Sequence, residues 1–145
     1  MKHNTLGILP AALLLVVSLA SCATQYGRLE PANPAARQIG DLRLSVSEPT
    51  AAGSYPVEIV LPSGERLRGN ARETGIDETA FGQVLAAVYG SGATNLRMRS
   101  RGRLGVIALS SRGASTMTCE YVGAMRGSLT GACRHSTGAL FRLHK

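Results

Sequence analysis

Arg97, Arg99, Arg101 and Arg103 are the residues whose type and spacing point most directly to chemistry. At i, i+2, i+4 and i+6 they would line one face of an extended segment, with Leu96, Met98, Ser100 and Gly102 on the other. Four guanidinium groups about 7 Å apart form a candidate anion-binding stripe, because each presents a planar fork matched to phosphate and carboxylate. The same row also suits a solvated strand face, or an edge strand charged against edge-to-edge association. Catalysis finds less support. Beyond the N-terminal segment the histidines are His135 and His144, and neither has a second ligand at metal spacing, so no zinc site is expected. His135 and Ser136 are neighbours, and neighbours on a strand point to opposite faces. Gly90-Ser91-Gly92 follows Tyr89 and does not make a nucleophile elbow. After Glu78 the carboxylates thin to Glu120, so a two-carboxylate site would need residues from the first half. Cys119 and Cys133 are too far apart for a C-x-x-C redox pair. The expectation is a non-enzymatic protein with no catalytic residue, no metal and no cofactor.

Cys22 carries a different chemistry. A basic start, Met1-Lys2-His3-Asn4, precedes an apolar run from Thr5 to Ala20 broken only by Gly7, Pro10 and Ser18. That is the layout of a secretory signal peptide, too short for a spanning helix. Leu19-Ala20-Ser21-Cys22 closes the run and resembles a bacterial lipobox. The resemblance implies cleavage between Ser21 and Cys22, diacylation of the Cys22 thiol and further acylation of the new amine. The competing reading is an ordinary cleaved signal with a coincidental cysteine. Two or three acyl chains, at about 0.8 kcal/mol per buried methylene, would anchor the protein firmly. Residue 23 is Ala. The lipoproteins it resembles commonly carry Asp there when retained in the inner membrane, so Ala23 favours the bacterial outer membrane, facing the periplasm.

Removing residues 1–21 leaves 124 residues, enough for one small domain and a tether. Trp is absent and the aromatics are four Tyr and two Phe, so the core must be mainly aliphatic. Seventeen glycines point to strands and turns rather than long helices. Charge is uneven: residues 22–79 hold six Arg against eight carboxylates, whereas residues 80–145 hold eight Arg and Lys145 against Glu120 alone. Such a balance fits an anionic neighbour. In a cell envelope that means lipid headgroups, lipopolysaccharide phosphates or peptidoglycan carboxylates. Nucleic acid suits the charge but not the compartment. With Cys22 lipidated, Cys119 and Cys133 remain as an even pair in an oxidising compartment and are expected to form a disulfide; two buried thiols are the alternative.

The elements that must position these residues read as strands. Residues 22–40, with Pro31, Pro34, Gly27 and Gly40 and no apolar periodicity, read as a lipidated tether ahead of a domain at 41–145. Leu42, Leu44 and Val46 alternate with polar residues as in a half-buried strand. Val57, Ile59 and Leu61 lead through Pro62-Ser63-Gly64 into a returning strand, with Arg66, Arg68, Asn70 and Arg72 on one face: a hairpin. Residues 74–90 are two-sided. Asp77 could cap a short helix near 78–88 with Phe81, Leu85 and Val88 on one face, but Gly82 and Tyr89-Gly90-Ser91-Gly92 suit extended structure, to which the balance leans. From Asn95 onwards the pattern is a meander of strands at 95–102, 104–109, 115–122, 128–135 and 139–143.

The cysteines test that register. A turn centred on residue 126 opposes residues whose numbers sum to 252, placing Cys119 against Cys133 and Tyr121 against Gly131. Directly opposed residues are about 4.5–5.5 Å apart in Cα, within disulfide reach. The expected fold is all-β, a small antiparallel barrel or sandwich with one disulfide.

The C-terminal third, with Met117-Thr118-Cys119-Glu120-Tyr121, Gly131-Ala132-Cys133 and Gly138-Ala139-Leu140-Phe141, is similar to small uncharacterised bacterial outer-membrane lipoproteins. They pair an M-x-C-E-aromatic strand with a G-x-C strand and a closing strand. The resemblance covers about 35 residues plus the hairpin around Leu61–Glu65 and implies fold and address, not chemistry. Two partner classes follow from the address. One is the anionic envelope components, reached through the Arg-rich half. The other is a protein, for an assembly-factor subunit or a periplasmic inhibitor.

Overall fold

The computed structural model describes residues 24–74, 81–99 and 103–145. Eight antiparallel strands follow one another in order: β1 (Gln25–Pro31), β2 (Leu42–Val46), β3 (Tyr55–Val60), β4 (Arg66–Thr74), β5 (Leu104–Ser110), β6 (Thr116–Gly123), β7 (Leu129–His135) and β8 (Leu140–His144). Each pairs with its neighbour, and β1 pairs with β8, so the sheet closes into a barrel with no free edge. Period-two alternation builds the interior. Leu42, Leu44 and Val46 of β2, Val57 and Ile59 of β3, Ile107 and Leu109 of β5, and Phe141 and Leu143 of β8 all point inward and are buried. Side chains fill the interior, as small barrels require.

The closing of the barrel corrects the tether. Residues from Gln25 onwards are not a linker. They form β1, registered against β2 through Gly27↔Leu44 and Leu29↔Leu42 and against β8 through Leu29↔Leu143. The strand shows almost no apolar periodicity because its inward positions are Gly27 and Leu29. At Gly27 a Cβ would stand 3.3 Å from the His144 carbonyl oxygen and against Leu143 and Leu44, so the position favours a bare backbone. The helix α1 (Pro34–Ile39) then spans one end. Asn33 caps it by accepting from the Ala36 N–H at 2.9 Å, and it also accepts from the Leu140 N–H and donates to the Gly138 carbonyl. One side chain thus ties the β1–β2 connection to the β7–β8 turn.

The β6–β7 hairpin has the register expected from the cysteines. Met117 opposes His135, Cys119 opposes Cys133 and Tyr121 opposes Gly131, and the disulfide joins the two strands inside the barrel. Tyr121 also lies across β5. A Cβ on Gly105 would fall 2.0 Å from the Tyr121 ring, so the ring occupies the space that glycine leaves.

The segment after β4 is the second correction. Its described part is helical, with α2 (Gln83–Tyr89) and α3 (Gly92–Arg99), where the sequence balance favours extended structure and predicts a strand from Asn95. These helices cover the outer surface of one half of the barrel. Phe81, Val84, Leu85 and Ala93 pack on Leu104, Val122 and Ala132, making a second apolar cluster outside the sheet. This explains the continuous apolar run of β5: Ile107 and Leu109 face the interior while Leu104 faces the helices. Burying Leu85 alone contributes on the order of 2 kcal/mol.

Candidate functional site

The four-arginine stripe does not exist as a strand face. Arg97 and Arg99 lie on α3, where residues two apart point to opposite sides. The Arg97 guanidinium sits over the Phe81 ring at 5.3 Å and beside Gly82, so it packs within the helical cover. Arg99 is exposed at the end of α3, and Arg103 is exposed just before β5. Arg101 lies outside the described residues. The alternation of arginines imitates a strand, but Met98, expected on the apolar side, is 73% exposed, whereas Ala93 is buried and Leu96 packs against the cluster, as on one side of a helix.

Arginine gathers instead on the open half of the barrel's outer surface. Arg66, Arg68 and Arg72 project outward from β4, spaced by the pleat around Asn70. The register carries Asn70 across to Ala108 of β5, Thr118 of β6 and Arg134 of β7. One step along, Arg68 leads to Ser110 and then Thr116. Ala108, Ser110, Thr116 and Thr118 are all exposed. A strip of small, mostly hydroxylated side chains therefore lies between an arginine column and Arg134, three strand spacings or about 14 Å away. At its lower end the strip runs into a cleft of about 650 Å³ lined by Glu65, Arg66, Arg68, Ser110, Ser111 and Arg112.

The carboxylates of this face are already engaged. Glu58 takes Arg66 at 2.7 Å and Arg68 at 2.5 Å. The Arg68 hydrogen bond, with both positive charges, holds the Glu58 carboxyl below its usual range against the opposing effect of desolvation. Glu65 accepts a short hydrogen bond from Ser111, which likewise lowers it. Two carboxylates thus face five arginines, Arg66, Arg68, Arg72, Arg112 and Arg134, and the last three make no ion pair among the described residues. The arrangement can hold several anionic groups at once with paired N–H donors.

The covered half is built differently. Glu120 points out from β6 yet is only 4% exposed, because α2 begins over it. Its Oε2 accepts from the backbone N–H groups of Val84 and Leu85, each at 2.9 Å. Gly82, at the N-cap position with φ 108°, has no side chain to cap the helix, so the strand supplies the acceptor. The last carboxylate of the chain is therefore a helix cap.

The remaining titratable candidates take structural places. His135 faces the interior, buried. Its Nδ1 accepts from the Thr137 N–H at 3.2 Å and contacts the Thr137 hydroxyl at 2.8 Å. Ser136 turns to the Thr116 N–H instead of the imidazole. His144 is exposed on β8. Among the described residues no group of three or more His, Cys, Asp or Glu side chains could hold a metal ion. Ser21 and Cys22 lie outside the described residues.

No known family, curated protein or solved structure matches this chain.

Proposed function

We propose that this protein is a lipid-anchored, non-enzymatic module of the bacterial cell envelope. In this reading Cys22 carries the anchor at the outer membrane, and the arginine-rich outer face of β4–β7 contacts anionic envelope components. The observation that carries the reading is the register itself. It sets Arg66 and Arg68 on one side and Arg134 on the other of a strip with no large side chain, on the half of the barrel that no helix covers, with Arg72 one step beyond in the row of Val106 and Glu120. Anionic groups along a glycan or a lipopolysaccharide core could span that strip without displacing anything. The filled interior supports binding outside the barrel rather than in a lumen. The contact belongs to arginines on β4, on the turn between β5 and β6 and on β7, so it requires the folded barrel.

The test is binding of the acylated protein to lipopolysaccharide and to peptidoglycan at low and high salt. Arg112→Glu/Arg134→Glu alters two arginines that make no ion pair among the described residues, and is expected to weaken binding about tenfold, or about 1.4 kcal/mol. Raising the salt is expected to have the same direction of effect. Binding that ignores both salt and the variant would reject the arginine face. Recovery of one stoichiometric protein partner, unaffected by the variant, would favour the protein-binding alternative.

A further inference from the structure

We infer that the anchored barrel stands on its membrane in one orientation, with a lipid headgroup phosphate seated beside Tyr26 and Arg43. The inference rests on the lipidation of Cys22. The barrel begins almost at that residue. Only Ala23 and Thr24 separate Cys22 from Gln25, the first residue of β1. At no more than about 3.6 Å per residue, the Cys22 Cα lies within about 11 Å of the Gln25 Cα. The headgroup layer of one leaflet is itself about 5–8 Å thick. A tether of this length gives the barrel no freedom to turn end over end.

The end that must face the bilayer is fixed by topology. The start of β1 adjoins the end of β2, the loop at 47–54, the turn at 124–128 and the end of β8. The turns at 62–64, 111–115 and 136–138 form the opposite end. The cleft lined by Glu65, Arg66 and Arg112 therefore points away from the anchoring membrane.

The outer surface of β1–β3 holds a groove of about 500 Å³ that starts beside the anchor at Thr24, Tyr26 and Ser47 and runs along the strands toward Arg43 and Val60. Tyr26 is 57% exposed, and the Arg43 guanidinium lies over its ring at 5.1 Å. Arg43 makes no ion pair among the described residues, and Glu58 at the far side of the groove is held by Arg66 and Arg68. An exposed tyrosine at headgroup depth, a cation held against it and the Thr24 and Ser47 hydroxyls suit a phosphodiester whose glycerol lies in the same layer.

The experiment places the acylated full-length protein in nanodiscs of phosphatidylethanolamine and phosphatidylglycerol that include a gadolinium-chelating headgroup lipid, and reads amide relaxation enhancement. Enhancement is expected to be largest at 24–26, 45–47 and 124–128 and smallest at 62–64, 111–115 and 136–138. The tether keeps this pattern in Arg43→Glu, so the phosphate is read separately, by the Arg43 Nε–H shift on transfer from neutral detergent to the nanodiscs: a shift that Tyr26→Ser reduces is expected, and no shift overturns the phosphate contact. With Cys22 shown by intact mass to be acylated, an even pattern, or the strongest effect at 62–64 and 111–115, overturns the orientation and leaves the lipoprotein reading standing. An unacylated Cys22 overturns that reading, and the orientation falls with it.

Discussion

The two halves of the outer surface of β5–β7 are built from the same strands and differ in what they display. Toward one end the outward positions are Leu104, Val122, Ala132 and Glu120, all buried beneath α2 and α3. Toward the other they are Ala108, Ser110, Thr116, Thr118 and Arg134, all exposed. The covered half is apolar with one carboxylate, and that carboxylate is spent on a helix terminus. The open half is small, hydroxylated and bordered by arginine. An outward position on a barrel strand is therefore not by itself a surface position: its chemistry follows the cover above it. The covered half should govern stability and the open half binding.

Removing packing from the covered half should give the largest effect. Leu85→Ala is expected to destabilise the protein by about 2–5 kcal/mol, read from denaturant or thermal unfolding. An effect below about 1 kcal/mol would mean that the helices contribute little to the barrel.

The interior staple comes next. Cys119→Ala/Cys133→Ala opens a loop of 14 residues' separation and is expected to cost about 3 kcal/mol, measured against the oxidised protein. Glu120→Ala should follow at about 2–3 kcal/mol, since it strips two backbone donors of a charged acceptor in a buried place. In hydrogen exchange the Val84 and Leu85 amides should lose protection first.

Alkali probes the interior. Burial pushes the Tyr121 hydroxyl well above its ordinary 10.0, so the folded state favours the neutral phenol. That contribution is complete below pH 10 and is lost as the pH rises above it, because the unfolded chain ionises first. Unfolding midpoints should fall from about pH 10 upward, and Tyr121→Phe should reduce this dependence, leaving the smaller part from Tyr89, whose hydroxyl burial also pushes up. A midpoint that stays flat there would contradict a buried phenol.

The smallest stability effect belongs to the open half. Arg112→Glu/Arg134→Glu should change unfolding by no more than about 0.5 kcal/mol, since both arginines are exposed and neither makes an ion pair among the described residues. Acid should act here just as gently. The Glu58 carboxyl is lowered by Arg68 and Arg66, so its contribution is present above its ordinary 4.5 and fades as the pH falls below it. Solvent screens this cluster, and the loss is expected to be slight.

The parts of the fold legible in the sequence are those in which neighbours along the chain are also neighbours in the barrel. The β3–β4 hairpin and the β6–β7 register follow from alternation, a turn and two cysteines. β1 was hidden because its inward side is Gly27 and Leu29, although Asn33-Pro34 does carry a helix-start signal. α2 was hidden for a non-local reason: its cap comes from Glu120, 36 residues after Val84. In α3, arginine at every second residue imitates the period of a strand. The arginine face was only half legible. The row on β4 is visible as Arg66, Arg68 and Arg72, but its partner Arg134 enters through three strand pairings that no local window contains.

The most direct measurement is an amide chemical-shift map of the isotope-labelled acylated protein titrated with lipopolysaccharide and with soluble peptidoglycan fragments. Saturable, salt-sensitive shifts at 66–72, 108–118 and around Arg134, with the α2 amides unmoved, are the predicted result. Shifts confined to the helices and the interior, or none with either ligand, would contradict the account.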